Sequence, residues 1–277
     1  MTELQALATQ VRRDILRMVH AVSSGHPGGS LGCADLFTYM YSERLNYNVD
    51  KFSMDGDSED LFFLSNGHIS PVWYSVLARH GFFPVHELAT FRKISSRLQG
   101  HPSVDKKLPG IRMASGSLGQ GLSVAIGAAL SKKMNHDSSL VYCLMGDGEL
   151  QEGQVWEAAM YAGSKQVSNV IAIIDYNNRQ IDGDVSEVMG VMPLEDKWKA
   201  FGWDAHHMHG HDFDNMREVF NRIDREQNNR PKVIIMKTEM GQGVDFMMGT
   251  HKWHGSAPND AQLESALAQL PETLGDY

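Results

Sequence analysis

The chain of 277 residues carries 25 Lys+Arg against 34 Asp+Glu, a net charge of −9. That balance disfavours nonspecific binding to nucleic acid or to an acidic membrane, so any phosphate must be handled locally. Hydrophobic residues make up 42% and charged residues 21%, with no low-complexity block or long charge run, which excludes a disordered chain and leaves room for a large core.

MTELQALATQVRRDIL, at the start, reads as an amphipathic helix, without the basic and apolar segments of a signal peptide. Leu4, Leu7, Val11, Ile15, Met18 and Val19 recur at three- and four-residue steps and extend that helix over 3–22. After SSGHPGGS the spacing predicts a helix over 33–44, a short buried strand at 60–65, helices at 70–80 and 85–93, a polar loop over 95–116 and a small-residue helix in LGQGLSVAIGAALSKK. MDGDSED at 54–60 reads as a solvated loop. The second half alternates: strand SLVYCLM, helix 153–165, strand NVIAIID, helix 194–201, strand WDAHHM, helix 212–227, strand KVIIMK, then a tail over 259–277. Strands alternating with helices imply a mostly parallel α/β sheet with helices on both faces, three layers in one domain spanning 1–277. No run approaches the roughly 20 apolar residues that span a bilayer. Cys33 and Cys143 lack CxxC spacing, so the expectation is two structural thiols in a reducing, cytoplasmic compartment.

MGDGELQEG follows the apolar run LVYCL directly. Residues just past the carboxyl ends of two parallel strands share one edge of the sheet. Asp147 follows one strand and Asn177 the next, with 28 residues between Gly148 and Asn177, enough for one crossover helix. A carboxylate, an amide oxygen and a loop carbonyl suit a hard divalent cation such as magnesium. Gly146 and Gly148 would let a diphosphate approach the backbone, and the helix from Gly153 could offer its amino end. Alone, GDG could equally be a turn and helix cap.

GDGELQEGQVWEAAMYAGSKQVSNVIAIIDYNN resembles the thiamine diphosphate motif of the transketolase family. SSGHPGGSLG, LSNGH, SGSLGQGLS and KWHG follow that family's order, so the resemblance covers nearly the whole chain. It implies the thiamine diphosphate-binding fold, with thiamine diphosphate and Mg2+, or another divalent cation such as Ca2+ or Mn2+, as cofactors. Asp147 and Asn177 would be side-chain metal ligands, with the carbonyl of Arg179 as the third. Gly116, Leu118, His68, Gly146, Gly148 and Glu149 would contact the cofactor. Glu152 is carried over with that site and, like Glu157, matches an acid of a network near the subunit interface; both could instead be helix-surface acids favoured by the dipole.

Among thirteen histidines, four sit in glycine-flanked loops: His26, His68, His101 and His254. The matching histidines of transketolases bind sugar hydroxyls and move protons, work that suits a group titrating near neutrality. The dense HHMHGHD segment is not read as a metal cluster, because strand alternation sends His206 and His207 to opposite faces and the family has a GHD turn and helix cap at His211–Asp212.

In transketolases the glutamate that activates the cofactor lies on a second, pyrimidine-binding domain, together with basic residues that hold sugar phosphates. The expectation is therefore an N-terminal transketolase subunit. It would be inactive alone and would act with a separately encoded partner in a heterotetramer of two heterodimers, or else be part of a longer enzyme. Ser117, Ser103 and Arg112 depart from many full-length transketolases and resemble the short two-subunit branch. The expected activity is transfer of a two-carbon ketol unit from a ketose, as its phosphate, to an aldose. Two alternatives stay open: the alpha subunit of a 2-oxo acid dehydrogenase decarboxylating component, and a noncatalytic paralogue.

Overall fold

In the computed structural model, which describes residues 1–226 and 228–277, five parallel strands form one sheet in the order β1-β2-β3-β7-β6. They are β1 (Leu61–Leu64), β2 (Val141–Gly146), β3 (Val170–Tyr176), β6 (Asp204–His209) and β7 (Lys232–Lys237); a small hairpin, β4 (Arg179–Gln180) with β5 (Gly183–Asp184), follows β3. The runs LFFL in β1, VYCLM in β2, VIAII in β3 and VIIM in β7 are apolar because both faces are covered, whereas the edge strand β6, DAHHMH, is partly exposed. Phe62, Leu64, Tyr142, Leu144, Ile171, Ile173, Ile234 and Met236 point to one core, and Leu61, Phe63, Val141, Cys143, Val170, Ala172, Val233 and Ile235 to the other.

The first core is roofed by α1 (Glu3–Ala21), α3 (Ala34–Tyr39), α4 (Ser70–Arg79) and α9 (Phe213–Arg225); the second by α5 (Gly121–Met134), α6 (Gly153–Ser164) and α8 (Leu194–Ala200). Two short helices add to them, α2 (Pro27–Gly32) through Leu31 to the first core and α7 (Val185–Met189) through Val185 to the second. The three-layer α/β arrangement is the one the alternating pattern predicts. Register places Leu64 beside Leu144, Gly146 beside Asp175 and Tyr176 beside Lys237, so residues after β1, β2, β3 and β7 emerge at one edge. That edge holds the site.

Local differences have physical causes. The predicted helix 33–44 is α3 continued by a π turn over Met40–Arg44. The segment 85–93 forms only 3-10 turns over Val85–Thr90, after which Arg92 takes a left-handed φ of 58°. The loop 95–116 is anchored by buried Leu98, Leu108, Ile111 and Met113. Within MDGDSED, Glu59 is buried and paired with Arg112 at 2.5 Å, so that stretch is only partly solvated. Helix α9 covers Phe213–Arg225 of the predicted 212–227, and residue 227 lies outside the described residues. The tail forms α10 (Asp260–Gln269), capped by Asn259, and then pins itself to α1: the Asp276 carboxylate accepts from Arg13 at 2.6 Å and from Gln10 at 2.9 Å. Both cysteines are free and buried. Among the described residues no helix is long and apolar enough to cross a membrane.

Candidate functional site

At the carboxyl edge of β2 and β3, Asp147 and Asn177 come together as the crossover argument requires. Asp147 is 1% exposed, and its donors are backbone N–H groups: Gly148 N at 2.8 Å on one oxygen and Asn178 N at 2.5 Å on the other. Burial, reinforced by the neighbouring Asp175, holds its carboxyl pKa up at about 7. Asp175 is itself buried and accepts from Asn177 Nδ2 at 3.0 Å and from the Thr238 hydroxyl, which fixes the amide of Asn177 with Oδ1 turned to Arg179 N at 2.8 Å. Arg179 sits on β4, its guanidinium paired with Asp184.

Glu149 has a task the sequence did not predict. Its buried carboxylate accepts from the Ser65 hydroxyl, from Gly119 N at 2.7 Å and from Gly146 N at 3.1 Å, bracing the end of β1, the approach to α5 and the end of β2. Only its backbone remains for the cleft. Glu152 and Glu157 are exposed at the start and middle of α6.

The four histidines converge from four separate loops. Ring centroids of His26 and His68 are 5.0 Å apart, of His26 and His254 5.7 Å, of His68 and His254 5.1 Å, and of His26 and His101 6.4 Å. Helix α2 makes this possible. At Gly28 a Cβ would lie 2.7 Å from Met240 Cγ and 2.8 Å from the Trp253 carbonyl, so the segment carrying His254 rests directly on the helix backbone, tied by Gly241 N donating to Gly28 O at 2.9 Å. The His68 turn is seated equally closely: a Cβ on Gly67 would lie 2.2 Å from Ser115 Oγ.

Burial, then the proximity of His254, Arg92 and His101, holds the His26 pKa down at about 4. Burial, then His254, His26 and His101, pushes His68 well below its ordinary value; burial and Arg92 lower His101, and burial and His251 lower His254. All four rings are therefore neutral near pH 7, each with one N–H and one open lone pair. Nδ1 of His26 and Nδ1 of His254 are buried without a hydrogen-bond partner among the described residues.

Between the carboxylate end and the histidine end runs a cleft of about 410 Å3, lined at one end by Asp147, Gly148 and Asn177 and at the other by His26, His68 and His254. Gly116, Leu118, Gly146, Glu149, Glu152, Arg179 and His101 line it too, so every predicted site residue borders one cavity. Its walls also include residues that the sequence motifs did not single out: Asn66, Gln151, Gln180, Ile181 and Met240. Asn66 is 1% exposed, and its Oδ1 has no partner among the described residues. It follows β1 as Asp147 follows β2, so its strand-end position alone could have marked it.

Residues 4–272 match the family described as transketolase, thiamine diphosphate binding domain. The chain belongs to this family. It is 36% identical over 268 residues to the 6-deoxy-6-sulfo-D-fructose transketolase subunit of a Clostridium species, covering 97% of this chain and 96% of that one. It is 35% identical over 271 residues to an apulose-4-phosphate transketolase subunit of Phocaeicola vulgatus, covering 98% and 95%. The crystal structure of transketolase from Campylobacter jejuni superposes with a TM-score of 0.89 at 31% identity, over 98% of this chain but 43% of that one. Thus the chain spans about two fifths of that transketolase and nearly all of the two subunits.

Thiamine diphosphate fits the transketolase residues present. Asn66, His26 and His254 line the cleft, and their buried Oδ1, Nδ1 and Nδ1 have no partner among the described residues; Gly146 leaves space there, the nearest atom to an added Cβ being Asn66 Nδ2 at 3.8 Å. Leu118 and Ile181, exposed at its mouth, offer apolar surface to a ring.

Proposed function

We propose that this chain is the thiamine diphosphate-binding subunit of a two-subunit, cytoplasmic transketolase, which moves a two-carbon ketol unit from a ketose to an aldose in concert with a separately encoded pyrimidine-binding subunit. The observation that carries this reading is the convergence of His26, His68, His101 and His254 at the open end of the cleft. Sugar hydroxyls need several neutral groups that both donate and accept, and a 2-oxo acid does not. The matching lengths of two relatives named as subunits support a division into two chains, and both names carry a sugar with an anionic group, sulfo or phosphate. Sugar phosphates are the substrates this suggests.

When bound, thiamine diphosphate supplies the electron sink for breaking a carbon–carbon bond beside a carbonyl. The chain's own residues hold and orient. Asp147, Asn177 Oδ1 and the Arg179 carbonyl would hold a divalent cation, magnesium in the first instance; the support is a hard oxygen donor set around a buried carboxylate that accepts from the backbone N–H groups of Gly148 and Asn178. A hydroxyl proton of the sugar passes to a neutral ring and returns; Nδ1 of His26 and of His254 have no partner among the described residues, so neither ring is committed within the chain. Glu152 and Glu157 share an exposed face with Met160 and Tyr161, which suits cover by further subunits in a heterotetramer of two heterodimers.

The test is to purify the chain alone and with a candidate pyrimidine-domain partner, then assay ketose cleavage and pyruvate decarboxylation in parallel. Ketol transfer is expected only from the mixture. Full transfer by the chain alone overturns the two-subunit reading, and decarboxylation without transfer overturns the substrate class.

A further inference from the structure

The amide of Asn177 has two ends of nearly equal size and opposite character: Oδ1 accepts and Nδ2 donates. Only Oδ1 offers lone pairs to a cation, so a half-turn of the amide would set two N–H groups against the metal. The two orientations fill the same space, and shape alone does not choose between them.

The choice is made underneath. Asp175, 2% exposed near the end of β3, accepts from Asn177 Nδ2 at 3.0 Å on one oxygen and from the Thr238 hydroxyl on the other. Thr238 is itself seated against β3, its N donating to Tyr176 O at 3.2 Å. An ionised carboxylate can only accept, so Nδ2 must face it, and Oδ1 is left turned towards Arg179 N at 2.8 Å. An asparagine in place of Asp175 would fill the same volume and could still meet Thr238. It would also bring N–H groups able to pair with Asn177 Oδ1 and turn the amide the wrong way.

Asp175 stands where a second acid is unfavourable. Its carbonyl accepts from Asp147 N at 3.2 Å, so two buried carboxylates occupy neighbouring strand ends. The donors that reach them, Gly148 N and Asn178 N on one and the Thr238 hydroxyl and Asn177 Nδ2 on the other, are all neutral. Two adjacent buried like charges raise each other's cost unless a cation joins them.

We propose that Asp175, held by Thr238, is a positioning residue for the metal: acting through Asn177, it selects the orientation in which Oδ1 is offered and adds a second negative charge beside Asp147. This rests on the assignment of Asp147 and Asn177 as metal ligands.

The test exchanges the two residues. Thiamine diphosphate is titrated calorimetrically, with and without Mg2+, into the chain paired with its pyrimidine-domain partner. Asp175→Asn should weaken Mg2+-dependent binding roughly 10- to 100-fold, the span for a group that orients a metal ligand. Asn177→Asp in the wild-type background should weaken it too, by facing one carboxylate with another. The same change made in Asp175→Asn restores a donor against an acceptor with the charge count unchanged, and should tighten binding at least tenfold. A residue that merely supports the fold would show two independent losses. Denaturant melting checks that each variant is folded, and Thr238→Val, which keeps the shape and removes the hydroxyl, should weaken binding about threefold and decides the matter if Asp175→Asn does not fold. Unchanged affinity in Asp175→Asn, or in Thr238→Val where it must stand in, overturns the proposal, as does an Asn177→Asp effect that is the same in both backgrounds. If wild type binds thiamine diphosphate equally with and without Mg2+, the metal assignment itself falls and the positioning role falls with it.

Discussion

The two ends of the cleft are held by opposite means. At the carboxylate end, Asp147, Glu149, Asp175 and Asn177 hang on consecutive strand ends, and their oxygens are already engaged by backbone N–H groups, hydroxyls and the Asn177 amide of the same chain. At the other end, four rings arrive on loops, and the buried Nδ1 atoms of His26 and His254 have no hydrogen-bond partner among the described residues. The first end is preorganised to grip something that stays; the second is left open for groups that come and go. Hydrogen bonds completed in advance cost nothing when a ligand arrives, whereas open nitrogens must meet the substrate itself.

The sharpest way to break that division is a reciprocal pair of variants in the two-subunit enzyme. Asp147→Ala should weaken thiamine diphosphate binding with Mg2+ by about 100-fold or more, since disturbing the groups that support a metal ligand alone costs roughly 10- to 100-fold. Calorimetry reads this directly. His26→Ala should leave that affinity within about threefold while lowering kcat by roughly 10²- to 10⁴-fold, the usual span for a lost proton-transfer group. If calorimetric affinity survives Asp147→Ala, the metal assignment is wrong; if His26→Ala loses the cofactor, the two ends are not separable.

A smaller change probes how the open end is assembled. Gly28→Ala puts a methyl where Met240 Cγ and the Trp253 carbonyl already lie, at 2.7 and 2.8 Å. The His254 segment must then lift off α2. A displacement of about 1 Å at a reacting group costs on the order of 100-fold, so kcat/KM should fall about that much with the cofactor still bound. Wild-type activity in Gly28→Ala would mean the loop is positioned by the partner rather than by α2.

The same division explains what could be read in advance. Asp147 and Asn177 are legible because parallel strands separated by one helix must deliver their ends to one edge, and apolar runs such as VIAIIDY identify the strands. Asn66 obeys the same rule, but in LSNGH the histidine is the residue that the motif marks. The histidines are picked out through glycine flanks and family resemblance, since nothing in the spacing of His26, His68, His101 and His254 reports that α2 is bare enough for two loops to close on it. Glu149 as a three-way brace, the Arg92 turn replacing a predicted helix, and Asp276 reaching Arg13 across 263 residues depend on long-range contacts that no local pattern contains.

The smallest effect concerns acid, and here the two ends differ in sign. His26 takes up a proton near pH 6.5 when unfolded but only near 4 in the cleft, so between those values the unfolded chain binds more protons and stability falls as pH falls. Asp147 does the reverse: its carboxyl, held up at about 7 by burial, keeps its proton after the unfolded carboxyl has lost it, so stability falls as pH rises from 3.8 towards 7. The terms oppose each other in a wild-type melting profile. His26→Asn separates them, because the carboxylate contribution is common to both proteins and cancels in the difference. The stability of wild type minus variant should decline from about pH 6.5 to about 4 with a slope well under the ceiling of about 1.4 kcal/mol per pH unit for one proton, since the cleft is partly open to water. Denaturant unfolding of the isolated chain at half-unit pH intervals measures it. A flat difference would mean that His26 is protonated as readily in the cleft as in water, and the open end would then be cationic rather than neutral below pH 6.5.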